Sequence, residues 1–104
     1  MTVTEIAGHA VHVDAEGFLT DPAEWDEDLA RVLARQIGIE LTDEHLQVLR
    51  FLRQDFAATG ETATTRRVQS VGGFPVKHQF ALFPQKPAKK MAYVAGLPKP
   101  HGCV

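Results

Sequence analysis

LTDEHLQVLRFLRQDFAATG, residues 41–60, is the stretch that decides the fold. Thr42 offers an N-cap hydroxyl, Asp43 and Glu44 follow at the positive end of the helix dipole, and Gly60 supplies a left-handed stop. Between them Leu46, Leu49, Leu52 and Phe56 recur at helical spacing, and Val48 with Phe51 widen the stripe until only a narrow face is polar. The spacing predicts a helix covered on most sides, which makes it the centre of a helical body.

Toward the N-terminus the period changes. Val3 to Asp14 alternates loosely between apolar and polar residues and breaks at Ala7-Gly8, which predicts a β-hairpin, and Gly17-Phe18-Leu19 is placed to add a third short strand. Asp21-Pro22-Ala23-Glu24 then reads as an N-cap, a proline at the first helical position and an acid set to close a capping box. A helix is expected from there to Gly38, with Trp25, Leu29, Val32, Leu33 and Ile37 on its apolar stripe. Past Gly60, a basic segment containing Arg66 and Arg67 runs to Gly72-Gly73; short helices are expected over residues 75–83 and 87–95, the second stopped by Gly96. The fold class is therefore α+β, a small N-terminal hairpin or meander packed on an array of about five helices. Residues 1–96 form one globular domain in this reading, and residues 97–104 a flexible C-terminal arm.

The arm, LPKPHGCV, cannot be helical, because Pro98 and Pro100 each lack a backbone donor and hold the preceding residue extended. Gly102 leaves a loose joint just before Cys103, the only cysteine of the chain. A position next to last on a proline-stiffened stalk is a poor place for packing. It suits an accessible thiol that becomes a thiolate, attacks a sulfane sulfur, holds it as a persulfide and passes it on. Leu97, Pro98, Lys99, Pro100 and Gly102 shape this arm; His101 favours the thiolate when protonated, while the terminal carboxylate on Val104 opposes it.

Charge and composition narrow the function classes. With 11 basic and 13 acidic residues the chain carries a formal charge of −2 and no strong field for gripping a phosphate backbone, so direct nucleic-acid binding is not expected. No apolar run approaches the roughly 20 residues needed to cross a bilayer, and MTVTEIAGHA lacks the marks of a signal peptide, so a cytoplasmic setting is expected. The second half is locally basic through Arg66, Arg67, Lys77, Lys86, Lys89, Lys90 and Lys99. That is either a solvated face or a positive surround for an anionic sulfur species or an acidic partner, with Arg66 and Lys89 the candidate contacts. His9 and His12, three apart on a strand, point to opposite faces and do not converge on one ion; His45 and His78 have no ligand partner at recognisable spacing. No metal site, cofactor motif, phosphate loop or nucleophile elbow is visible, which argues against a self-sufficient enzyme.

The C-terminal segment FPQKPAKKMAYVAGLPKPHGCV resembles the signature end of the DsrC/TusE family of sulfur-relay proteins, and EGFLTDPAEW and LTDEHLQVLRFLRQDF resemble its entries to two helices. The likeness covers most of the chain apart from a divergent middle from Thr59 to about Phe74. It implies a small β-meander against helices and makes Cys103 the sulfur-bearing residue. DsrC proper carries a second cysteine eleven positions earlier, where this chain has Ala92. The pair's intramolecular disulfide or trisulfide cycle with sulfite reductase is then lost, and persulfide transfer remains. To bridge to the arm, a cysteine at position 92 has to face it on the surface. Implied partners are sulfur donors of the TusBCD or DsrEFH type and an acceptor enzyme, either a tRNA wobble-uridine thiolase or a sulfite reductase; no cofactor is implied. The rivals are an accessory or regulatory protein of sulfite reduction or sulfur oxidation, and a non-catalytic interaction module with a docking tail. Three departures stand out: Lys86 replaces a usual glycine, the middle is shorter than in typical members, and the family's arginine after the second helix is assigned to Arg66.

Overall fold

The computed structural model describes residues 2–6 and 8–100; His101, Gly102 and Cys103, read above as the tip of the arm, lie outside the described residues. Strands β1 (Thr2–Ile6) and β2 (His9–Val13) pair antiparallel with Val3 opposite His12 and Glu5 opposite Ala10. This register turns Val11 and Val13 inward, both nearly fully buried, and His12 outward; His9 shares the face of the two valines but is exposed at the end of the strand. The expected third strand reduces to one bridge between Val13 and Leu19. The cause is local: the Asp14 carboxylate accepts from the N–H groups of Glu16 at 2.8 Å and Phe18 at 3.0 Å, curling the chain through Gly17 at φ +90°.

The single helix expected from Asp21 to Gly38 is two elements. A 3-10 turn covers Pro22–Glu24 with Asp21 as its cap, Trp25 is extended, and helix α1 (Glu27–Gln36) starts from a second cap, Asp26, whose carboxylate accepts from Leu29 N–H at 2.7 Å. Glu24 closes no capping box. Its carboxylate accepts from the backbone N–H and from Nδ1 of His12, both at 2.8 Å, and so ties the turn to the hairpin. Trp25 leaves the helical path to donate from Nε1 to the carbonyl of Val94 at 2.8 Å. Two tertiary bonds thus outweigh one more turn of helix.

Helix α2 (Asp43–Thr59) matches its expected caps, and Gly60 closes it in the left-handed region at φ +79°. His45, unassigned from sequence, is its hidden pivot: Nδ1 accepts from Thr42 N–H at 3.0 Å, completing the capping box, and Nε2 donates to the carbonyl of Leu82 at 2.8 Å. The basic segment proves to be helix α3 (Thr65–Ser70), capped by Thr64. Helices α4 (Val76–Leu82) and α5 (Pro87–Val94) follow as expected. Leu46, Val48, Leu49 and Leu52 of α2 share the larger core with Phe83, Met91, Val94 and Leu97; Val11, Val13, Leu19, Leu29 and Leu33 form a second cluster under the hairpin. Trp25 and Tyr93 pack against both, joining the hairpin side to the helical side. Helix α5 contacts α1, α2 and α4, so the chain leaving its C-terminal end starts from the middle of the body.

Candidate functional site

The root of the arm is built by the last turn of α5. Gly96 lies at φ +70°, its N–H donates to Tyr93 carbonyl at 3.3 Å, and Leu97 N–H donates to Ala92 carbonyl at 3.0 Å. These paired bonds are a Schellman motif, whose next residue characteristically folds its side chain back on the helix. Leu97 does so and is only 1 % exposed, inside the larger core. The expectation that the free stalk begins at Leu97 is corrected accordingly.

The turn is locked from behind. A β-carbon on Gly96 would stand 2.5 Å from Trp25 Cδ1, so glycine is required both by conformation and by space. Arg53 lies 4.2 Å from the Trp25 ring centre and donates to the carbonyls of Ala95 and Pro22, each at 2.8 Å. Burial pulls its pKa below the ordinary value, a cost set against bonds to the Ala95 carbonyl and to the Pro22 carbonyl, which also accepts from Trp25 N–H at 3.3 Å.

Further out, Pro98 and Pro100 offer no N–H, so the backbone donors of this stretch reduce to that of Lys99, and carbonyls, the Lys99 side chain and apolar burial are left to hold it. The buried Thr62 hydroxyl donates to the Pro98 carbonyl at 2.7 Å, and Lys99 Nζ pairs with Glu16 at 3.4 Å. Pro98 itself is exposed, and Pro100 is buried. The described part of the arm therefore runs along the body.

Beside this root opens a groove of about 410 Å³. Phe18, Ile37 and Tyr93 line it with apolar surface, and Lys86, Lys89, Lys90 and Glu16 with charge. Phe18 and Tyr93 meet edge to face at 5.8 Å, and the Tyr93 hydroxyl donates to Gln36 Oε1 at 2.7 Å; burial pushes the phenol above its ordinary pKa. Lys86 stands at φ 46°, after Gln85 at φ 59°, so two residues with side chains occupy the left-handed region just before α5.

Of the candidate residues, Lys89 faces the groove, whereas Arg66 is exposed on α3 and outside it. The committed arginine is Arg67, whose Nε and Nη2 each donate at 2.8 Å to the buried Asp55 carboxylate. Ala92 is fully buried, so the surface position required for a bridge to the arm is not met. Thr62, Glu16 and Arg53 were missed from sequence. Only Leu97 had a readable signal, an apolar residue directly after a helix-stopping glycine.

The sequence pattern of the family described as DsrC like protein matches residues 5–104. The chain belongs to this family. Among its DsrC-like relatives, Sulfurtransferase TusE of Pectobacterium atrosepticum is 37 % identical, over 96 % of this chain and 98 % of its own length. The solution structure of Allochromatium vinosum DsrC superposes with a TM-score of 0.80 at 36 % identity, covering 98 % of this chain and 97 % of that one. The oxidized gamma-subunit of dissimilatory sulfite reductase (DsrC) from Archaeoglobus fulgidus gives 0.76 at 37 %, covering 99 % and 100 %. The hairpin on five helices is thus the DsrC-like fold, and the α+β expectation holds.

Proposed function

We propose that this DsrC-like chain is a sulfur carrier working through Cys103. The thiolate attacks the outer sulfur of a donor persulfide; the donor's sulfur–sulfur bond breaks, its inner sulfur leaves as a thiolate, and Cys103 becomes a persulfide. An acceptor nucleophile then takes that outer sulfur and returns Cys103 to the thiolate, so no external oxidant or reductant enters either transfer. The observation that carries the reading is the position of the only thiol, next to last beyond an anchored root, in a chain that aligns almost end to end with Sulfurtransferase TusE. The donor in this proposal is a TusBCD- or DsrEFH-type relay protein, the acceptor a tRNA thiolase, and the setting the reducing cytoplasm, where a lone thiol stays free. Among the described residues no helix is long and apolar enough to cross a membrane.

Likeness to a sulfite reductase gamma-subunit favours a second reading, an accessory to sulfite reduction. Ala92 counts against a two-cysteine cycle, since position 92 has no thiol and points into the core. Intact-mass analysis after incubation with a persulfide-generating desulfurase and its relay proteins tests the carrier: a gain of about 32 Da, one sulfur atom, is expected on the wild type and none on Cys103→Ala. A gain retained by the alanine variant refutes it.

A further inference from the structure

We propose that the groove beside the arm root is a docking surface for an acidic segment of the sulfur-exchanging partner, one that carries an aromatic or aliphatic side chain among its carboxylates. The proposal deepens the carrier reading and rests on it. The groove's three lysines come from one end of a single helix, Lys86 at its N-cap and Lys89 and Lys90 in its first turn, where no acidic residue offsets them. Placing cations at the positive end of a helix costs stability. So does holding Lys86 in a left-handed conformation. Among the described residues no carboxylate lies within ion-pair distance of Lys86, Lys89 or Lys90; Lys90 reaches only the carbonyl of Pro84.

Between the lysines the wall is apolar and already formed, because the Tyr93 ring is held by Phe18 and by Gln36. An isolated small anion would leave that wall wet, and a purely apolar peptide would leave the lysines unanswered. Carboxylates flanking an apolar side chain satisfy both. Glu16 sets the purpose, since it lines the groove and also pairs with Lys99 of the arm, so an occupant sits next to the route toward Cys103.

The test titrates the isotope-labelled full chain with the synthetic peptide acetyl-Asp-Glu-Phe-Glu-Asp-amide and with its uncharged counterpart acetyl-Asn-Gln-Phe-Gln-Asn-amide. The acidic peptide should shift backbone signals around Phe18, Ile37 and the first turn of α5. Its affinity should fall by roughly tenfold or more in the combined Lys86→Gln, Lys89→Gln, Lys90→Gln variant and weaken in high salt, but not in Lys77→Gln, which removes a lysine away from the groove. Equal binding of the uncharged peptide, shifts elsewhere or no shifts at all overturn the proposal. So does movement of the same signals on dilution alone, which assigns the groove to a second copy, or on deletion of residues 101–104, which assigns it to the chain's own end. Peptide binding is read without sulfur transfer. A Cys103 that fails to gain sulfur therefore defeats the carrier reading and leaves this surface standing, and the reverse outcome is equally distinct.

Discussion

The two ends of helix α5 are built on opposite terms. At its C-terminal end the last carbonyls of the helix are answered: Trp25 and Arg53 take those of Val94 and Ala95, Gly96 and Leu97 close the cap, and Leu97 is sealed in the core. At its N-terminal end Lys86 is left-handed, no side chain caps the helix, and three lysines crowd the positive pole beside an open groove. The first arrangement spends its bonds on fixing where the arm begins. The second holds strain and uncompensated charge in the place where a partner has access, which is where functional surfaces tolerate such costs.

The comparison breaks most readily at Gly96. Gly96→Ala puts a β-carbon into Trp25 and an L residue at φ +70°, and should cost about 3 kcal/mol or more in urea unfolding, adding ~1–2 for the backbone to ~1–3 for overpacking. A loss below ~1 kcal/mol would show that the cap gives way easily. Arg53→Met keeps much of the packing on Trp25 but strands the Ala95 carbonyl and leaves Pro22 only its bond from Trp25 N–H, and should cost about 2 kcal/mol in the same assay. Thr62→Val preserves shape and removes the one hydrogen bond described for the Pro98 carbonyl; a loss of about 1 kcal/mol is expected, with faster backbone motion at Lys99 but not within α2. Lys86→Gly should act in the other direction, stabilising by up to ~1 kcal/mol as the left-handed penalty is relieved. Destabilisation there would mean that Lys86 contributes contacts outweighing its strain.

A pH series sharpens the same contrast between paired and unpaired charge. The hydrogen bonds from Arg67 hold the Asp55 carboxyl below its ordinary value of 3.8. A lowered folded pKa means that the group's contribution is fully present above the unfolded value and disappears as pH falls through the folded one. Asp55→Asn should therefore reduce stability at about pH 6, and the gap to wild type should close on acidification below about pH 4. A gap independent of pH would show that the pair acts through shape alone.

Much of this fold was legible in the residues, and the failures share a cause. Helices α2, α4 and α5 announce themselves through Thr42, Gly60, Pro75, Pro87 and Gly96, all local signals. The break at Trp25 was not legible, because Asp21 and Asp26 are equally good caps and the choice is made by Trp25 reaching Val94 and Glu24 reaching His12, partners distant in sequence. Helix α3 lacks an apolar stripe; besides its Thr64 cap it is tied to the body by buried Val68 and by Arg67 meeting Asp55, contacts with partners distant in sequence. At the candidate site, Cys103 was singled out by its position in the chain and lies outside the described residues; Lys89, singled out by local charge, lines the groove. Thr62, Glu16 and Arg53 became visible only once the chain had brought the root of the arm to them.

The central claim is that Cys103 both receives and surrenders sulfur, and a pulse-chase with radiolabelled sulfur tests it directly. A desulfurase charged from labelled cysteine, together with its relay proteins, should place label on the wild-type chain, reduction should strip it, and addition of the acceptor enzyme should move it onward within the same reaction. Cys103→Ser should remain unlabelled throughout. Label on the serine variant, or label on the wild type that no acceptor can remove, would contradict the account.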